Sequence, residues 1–170
     1  MSWRGFELHP ETPPGGMPLT RLFPVDRMKR MREHLKGFAA EFGVKDMGQP
    51  DRLSNTRRVL AMAEYARDQG KLDAFRTAAM EAHWQRGKDL EDEQDLRGVA
   101  ETVGLDVEAA VRAGTDPAFL ARVDEIRREA NERGVSGIPT FFIGEQLVVG
   151  CQPYEQLAGA AVRAGAARRA

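Results

Sequence analysis

The sequence predicts an α/β chain in which a block of amphipathic helices separates a short N-terminal strand from a C-terminal hairpin and closing helix. Three observations predict it. Strand-type patterning is confined to the two ends, over 2–8 and 141–149. Between them apolar residues recur at intervals of three or four, and the runs stop at glycines. The two β-type runs near the C-terminus, Phe141–Ile143 and Leu147–Val149, flank a Gly144-Glu145 turn.

Taken in order, Ser2–Leu8 reads as a strand, with Phe6 and Leu8 on one face and Trp3 and Gly5 on the other. PETPPGGMP follows as a loop, because its prolines withhold backbone donors and its glycines permit positive φ. From Asp26 to Phe42, the residues Met28, Met31, Leu35, Phe38 and Phe42 form the stripe of a helix that Gly43 stops. A methionine stripe at this spacing predicts core packing rather than a ligand surface. After a break at Gly48–Asp51, Ser54 or Asn55 caps a helix to Gln69, with Gly70 beyond its end. Leu72–Arg86 is the next helix, carrying Phe75, Ala79, Ala82 and Trp84 and ending at Gly87.

The run DLEDEQDL starts a short helix whose buried side is Leu96, Val99, Ala100 and Val103. Its carboxylates suit a helix N-terminus, so a solvated acidic face is expected there rather than a metal site. Asp106 caps a further helix ending near Gly114. Asp116-Pro117 opens another, with Leu120, Val123, Arg127 and Ala130 on one face. Glycine first in a two-residue loop suits a type II′ hairpin turn at Gly144. Pro153–Arg163 then closes the chain, with Leu157, Ala161 and Val162 facing inward, and the remaining Ala/Gly/Arg tail is expected to fray.

The 170 residues suffice for one domain with a sizeable core. A formal net charge of −1 argues against nucleic acid or an anionic membrane as partner, since either would favour a basic excess. The N-terminus lacks the pattern of a secretory signal, and no apolar run is long enough to span a bilayer. One cysteine leaves no internal disulfide and no Cys-x-x-Cys within the chain, and a reducing, cytoplasmic setting is expected.

Four stretches carry a resemblance: FELHPETPPGG, SNTRRVLAMAEYARDQGK at 54–71, HWQRGKDLEDEQDLRGVAETVGLD, and GVSGIPTFFIGEQLVVGCQPYEQL at 134–157. In this order they resemble the DsbA-like thiol–disulfide oxidoreductases, particularly the cytoplasmic FrnE branch. The resemblance implies a thioredoxin-like fold with a large inserted helical domain. Residues 1–25 and 134–165 would form a partial thioredoxin-like domain, 26–133 the insertion, and 166–170 a tail. It also implies that Ile138-Pro139 is a cis peptide, turned so that Ile138 offers its backbone N–H and C=O to an extended thiol substrate.

The family's first strand and its Cys-x-x-Cys helix are missing from this chain. That pair does the family's chemistry: one thiolate attacks a disulfide and its neighbour resolves the mixed disulfide. As written, the chain is expected to be inactive as a dithiol catalyst. Either the start is misplaced and the segment lies upstream, which is the favoured expectation, or the slot is open and a second copy fills it as a homo-oligomer.

Ile138 and Pro139 are the expected substrate-binding residues, for a thiol or disulfide protein or for glutathione. Cys151 is the candidate redox thiol. It precedes the closing helix, whose N-terminus favours the thiolate, and it reads either as a single-thiol sensor or as a semi-buried packing residue. His9, His34 and His83 share no metal-ligand spacing and are assigned to structure, and no cofactor is expected. The cluster Arg27, Lys29, Arg30 and Arg32 is expected to be a solvated face. Two alternatives to the oxidoreductase stand open. One is a glutathione-dependent 2-hydroxychromene-2-carboxylate isomerase, whose family shares the inserted-helix layout. The other is a non-catalytic binding module that oligomerises.

Overall fold

The computed structural model describes residues 2–44, 47–48 and 50–167. The chain divides into two units, Met1–Ile126 and Arg127–Ala170. The tail expected at 166–170 lies largely outside the described residues.

In the first unit the expected strand Ser2–Leu8 is not formed: residues 2–7 carry no regular secondary structure and pair with no strand. A strand needs a neighbour to complete its ladder, and here side chains hold the segment instead. The Arg67 guanidinium donates to the Trp3 carbonyl, and Arg76 lies 4.0 Å over the Trp3 ring. Glu7 is 3% exposed and accepts from Arg57 at 3.2 Å. Arg57 also makes a two-pronged contact with Asp124 at 2.6 and 2.8 Å. Arg57, held by Asp124 first and then by Glu7, is pushed to an even higher pKa than a free guanidinium.

The strand signal of this unit lies elsewhere. β1 (Met17–Pro18) and β2 (Arg52–Leu53) form a minimal antiparallel pair, Met17 opposite Leu53 and Pro18 opposite Arg52. Between them runs α1 (Val25–Glu41), one residue ahead of the expected range at each end.

The core of the unit is a four-helix block: α2 (Arg57–Asp68), α3 (Leu72–Trp84), α4 (Glu93–Thr102) and α5 (Val107–Ala113). Met62 and Ala66 from α2, Phe75 from α3, Leu96 and Ala100 from α4, and Ala110 from α5 pack together with almost no exposure. The alanines let helix axes approach closely while Met62, Phe75 and Leu96 fill the space between them. Asp92 accepts from the Asp95 N–H and Asp106 from the Ala109 N–H, each occupying one of the free donors at a helix start. Asn55 serves α2 from just outside it, accepting from Arg57 N–H at 2.9 Å.

Helix α1 departs from expectation. Of its apolar stripe only Met28 is buried; Met31, Leu35 and Phe42 are exposed and Phe38 is half-buried. The spacing is helical, but most of the stripe is exposed rather than core.

α6 (Pro117–Glu132) carries the boundary between the units. In the second unit β3 (Thr140–Ile143) pairs antiparallel with β4 (Gln146–Val149), and α7 (Tyr154–Arg163) follows. Gly144 has φ +59 while Glu145 stays negative, which is the II′ geometry expected for this turn. Among the described residues no helix is long and apolar enough to cross a membrane.

Candidate functional site

Two places could bind a ligand, and each is described within its own unit. In the second unit the Ile138-Pro139 peptide is cis. The Thr140 hydroxyl donates to the Gly137 carbonyl at 2.6 Å, closing the turn ahead of β3. Gly150 N–H donates to the Pro139 carbonyl at 2.7 Å and extends the hairpin ladder by one step. One residue earlier the ladder stops: the Ile138 N–H and C=O have no partner among the described residues, and its side chain is 52% exposed. Such an unpaired edge next to a ladder is a template for an incoming extended segment.

The register puts Thr140, Phe142, Leu147 and Val149 on one face of the hairpin. Phe142, Leu147 and Val149 are exposed, and the Arg133 guanidinium stacks 3.5 Å over the Phe142 ring. Cys151 follows Gly150 and stands two residues before Pro153, the N-cap of α7. It is exposed, so the packing alternative for this thiol is set aside.

In the first unit the uncovered stripe of α1 bounds a cavity of about 360 Å³. Met28, Met31, Arg32 and Leu35 share one helix face toward it, since they fall three and four residues apart. Phe23, Leu19 and Trp84 supply further apolar wall, and His34 and Lys36 stand beside Arg32. Gly48 closes one side. Its N–H donates to the Trp84 carbonyl, and a Cβ at this position would sit 2.7 Å from that oxygen.

A single carboxylate sets the loops behind the cavity. Glu91 accepts from Gly15 N–H at 2.6 Å and from Asn55 N–H at 2.5 Å. Asn55 in turn donates to the Thr12 carbonyl at 2.7 Å, Arg52 donates to the Gly15 carbonyl, and Leu19 N–H reaches the Asp51 carbonyl at 2.9 Å. Residues 12–19 are thereby tied to 51–55, which places Leu19 and Pro50 in the cavity wall.

Several expectations change at this point. The acidic run is not merely solvated, because Glu91 spans two loops and Asp95 pairs with Lys88 at 2.8 Å. The basic cluster is not merely a solvated face either. Arg32 lines the cavity and donates to the Pro50 carbonyl at 3.3 Å, and Arg27 lies 5.2 Å over Phe23. His34 lines the same cavity, whereas His9 bonds Glu11 and His83 the Lys88 carbonyl. Among the described residues no three metal-ligating side chains cluster. Arg32 was findable in the sequence as a cation within an apolar stripe. Glu91 was not, because its role depends on loops distant in the chain.

With the geometry in place, comparison with known proteins decides the family. The sequence pattern of the DSBA-like thioredoxin domain matches residues 1–162. The chain belongs to this family. The fold is that of the DSBA-like thioredoxin domain, mixed α/β with helix in the majority. The chain is 41% identical over 126 residues to a 2-hydroxychromene-2-carboxylate isomerase from Sphingobium xenophagum. That match covers 74% of this chain and 64% of the length of the relative.

Among solved structures it is similar to a probable DsbA oxidoreductase from Streptomyces coelicolor, with a TM-score of 0.82 and 24% identity over 98% of this chain and 76% of that one. It is also similar to a 2-hydroxychromene-2-carboxylate isomerase, with a TM-score of 0.72 and 25% identity over 85% of this chain and 73% of that one.

Proposed function

We propose that this chain is part of a thiol-dependent isomerase within the DsbA-like family, one that uses glutathione as its thiol and returns it unchanged. The observation that carries the reading is the open backbone at Ile138, one step beyond the hairpin ladder. A short thiol peptide laid along that edge pairs its own amides with the Ile138 N–H and C=O, as an added strand does. Isomerisation through a thiol adduct involves no net redox change, so one thiol that adds and departs is enough. Disulfide exchange needs a second thiol to resolve the mixed disulfide. The 41% identity to an isomerase supports the same class. A reducing cytoplasm, where glutathione is held as thiol, is the setting this chemistry requires.

The test is a titration of isotopically labelled chain with S-methylglutathione, together with conversion of 2-hydroxychromene-2-carboxylate with and without glutathione. Shifts centred on 136–140 and glutathione-dependent conversion are expected. Conversion that ignores glutathione, or shifts that avoid this segment, overturns the reading.

Disulfide exchange is the second reading, and the exposure of Cys151 favours it. Cys151 follows the residue bonded to Pro139; its thiolate would attack a protein disulfide, releasing one protein thiol and leaving a mixed disulfide that external glutathione thiol would resolve. Insulin reduction that disappears in Cys151→Ser would mark this route instead.

A further inference from the structure

The charge of the chain is not spread evenly. Residues 21–44 carry six Lys and Arg against three acids, in a chain that has 25 against 26. Extending the count to residue 49 adds one charge of each sign and keeps the excess. The near-neutral whole therefore conceals a basic segment, and α1 is most of it. Among the described residues none of Arg21, Arg27, Lys29, Arg30, Arg32 and Lys36 holds a carboxylate. In the helical block Arg57, Arg67 and Arg97 each do.

The helix sorts these groups by angle. With 3.6 residues per turn, Phe38, Met31, Phe42, Leu35, Met28 and Ala39 occupy one arc of about 100°. Met28 and Ala39, at one edge of the arc, are buried against the protein, whereas Met31, Leu35 and Phe42 stay exposed. Arg27 and then Arg30 border the open side of the arc, and Arg32 and then Lys36 border its protein side. Asp26 and Glu33 lie on the opposite side of the helix.

We propose that this face of α1 lies on an anionic lipid bilayer, with Met31, Leu35 and Phe42 entering the acyl boundary and the bordering cations at the level of the lipid phosphates. A helix that rests in the plane of a bilayer surface needs this division: an apolar stripe, cations beside it and acids turned to water. Arginine and lysine stems lie along apolar surface while their charged heads reach the headgroups. The 17-residue helix is about 25 Å long. Exposed Leu22 ahead of it and Val44 after it continue the apolar row, so the whole presents a length of surface rather than a pocket. Free cations supply the attraction to an anionic leaflet, about fivefold in affinity for each one near the surface. The proposal is independent of the thiol edge, since it uses no residue of the second unit.

The test is cosedimentation of the full chain with large vesicles, either of phosphatidylcholine alone or with about one third phosphatidylglycerol. Binding to the anionic vesicles and little binding to phosphatidylcholine are expected. Raising salt from about 0.1 to 0.5 M should weaken the binding at least tenfold. Arg27→Glu combined with Arg30→Glu should weaken it by more than tenfold, and Met31→Ser combined with Leu35→Ser by about tenfold. Met80→Ser, which removes a 56% exposed side chain from α3, should change nothing. All five positions are exposed, and an unchanged urea midpoint for each variant verifies that the fold is kept.

No binding to anionic vesicles at low salt, or equal binding to the two lipid mixtures, overturns the proposal. Binding that falls with the charge reversals but ignores the paired serine substitutions is electrostatic contact alone and overturns the insertion of the apolar row. Polyglutamate bound as tightly as the vesicles, with the same response to the variants, assigns the face to an acidic protein instead.

Discussion

In the α2–α5 block Met62, Phe75 and Leu96 are all but excluded from water, whereas on α1 Met31, Leu35 and Phe42 keep 46%, 41% and 47% of their exposure. Both regions are written with the same three-and-four spacing. The difference lies in what each face meets. The block's faces are rich in alanine, at Ala66, Ala79, Ala82, Ala100 and Ala110, so helices approach closely and one long side chain from each fills the gaps. The face of α1 is lined with long side chains and interrupted by Arg32, so it makes an open wall with a charge in it. Spacing alone identifies an amphipathic helix; the sizes and charges within the stripe decide whether another helix or a ligand covers it.

The largest expected effect breaks this comparison directly. Phe75→Ala should cost about 3–5 kcal/mol in urea denaturation, from lost burial and the cavity left behind. Leu35→Ala should stay within about 1 kcal/mol, because its side chain already meets solvent. Comparable losses at the two sites would mean that α1 is covered after all. Next is Gly48→Ala, whose Cβ would stand 2.7 Å from the Trp84 carbonyl oxygen. Relieving that overlap should cost about 1–3 kcal/mol and shift Trp84 emission, since the segment that closes the cavity must back away from α3. An unchanged midpoint and spectrum would show that this wall gives way freely.

How much of this was legible follows from the same contrast. Helix positions were, because caps such as Asp92 and Asp106 and the terminating glycines act locally. The hairpin was too, since Gly144 forces the turn and the turn fixes the register. The strand expected at Ser2–Leu8 was not, because alternation marks a two-faced segment and says nothing about a pairing partner. In its place Arg67 and Arg57 hold Trp3 and Glu7 from a helix more than forty residues away. At the sites, Ile138 and Pro139 were visible through motif resemblance. The cavity was hidden because it needs α1, Met47, Gly48, Pro50 and the end of α3 brought together. The role of Glu91 was hidden for the same reason: an acidic run looks solvated until the loops it spans are known.

The comparison sharpens further at the helix starts. α4 begins with a side-chain cap from Asp92, while α1 begins at Pro24 with none. Asp92→Ala should therefore cost about 1 kcal/mol, read as a lowered midpoint. A change within error would mean that the cap adds nothing once the core has formed.

The smallest effect concerns pH and the neighbouring carboxylate. Lys88, bonded at 2.8 Å, and then the Asp89 N–H hold Asp95 below the ordinary carboxylate range. A carboxyl with a depressed native pKa stabilises the fold above its unfolded value of about 3.9, and loses that contribution as pH falls through the native value. The pair is partly exposed, so the gain is modest. Thermal midpoints of the parent and Asp95→Asn should differ by a constant amount at neutral pH and converge below about pH 4. Among the described residues Arg32 has no carboxylate partner, so Arg32→Met should show a midpoint difference that does not change over the same range. If the Asp95→Asn gap stays constant to the lowest pH, Asp95 braces the block by its hydrogen bonds alone and not by its charge.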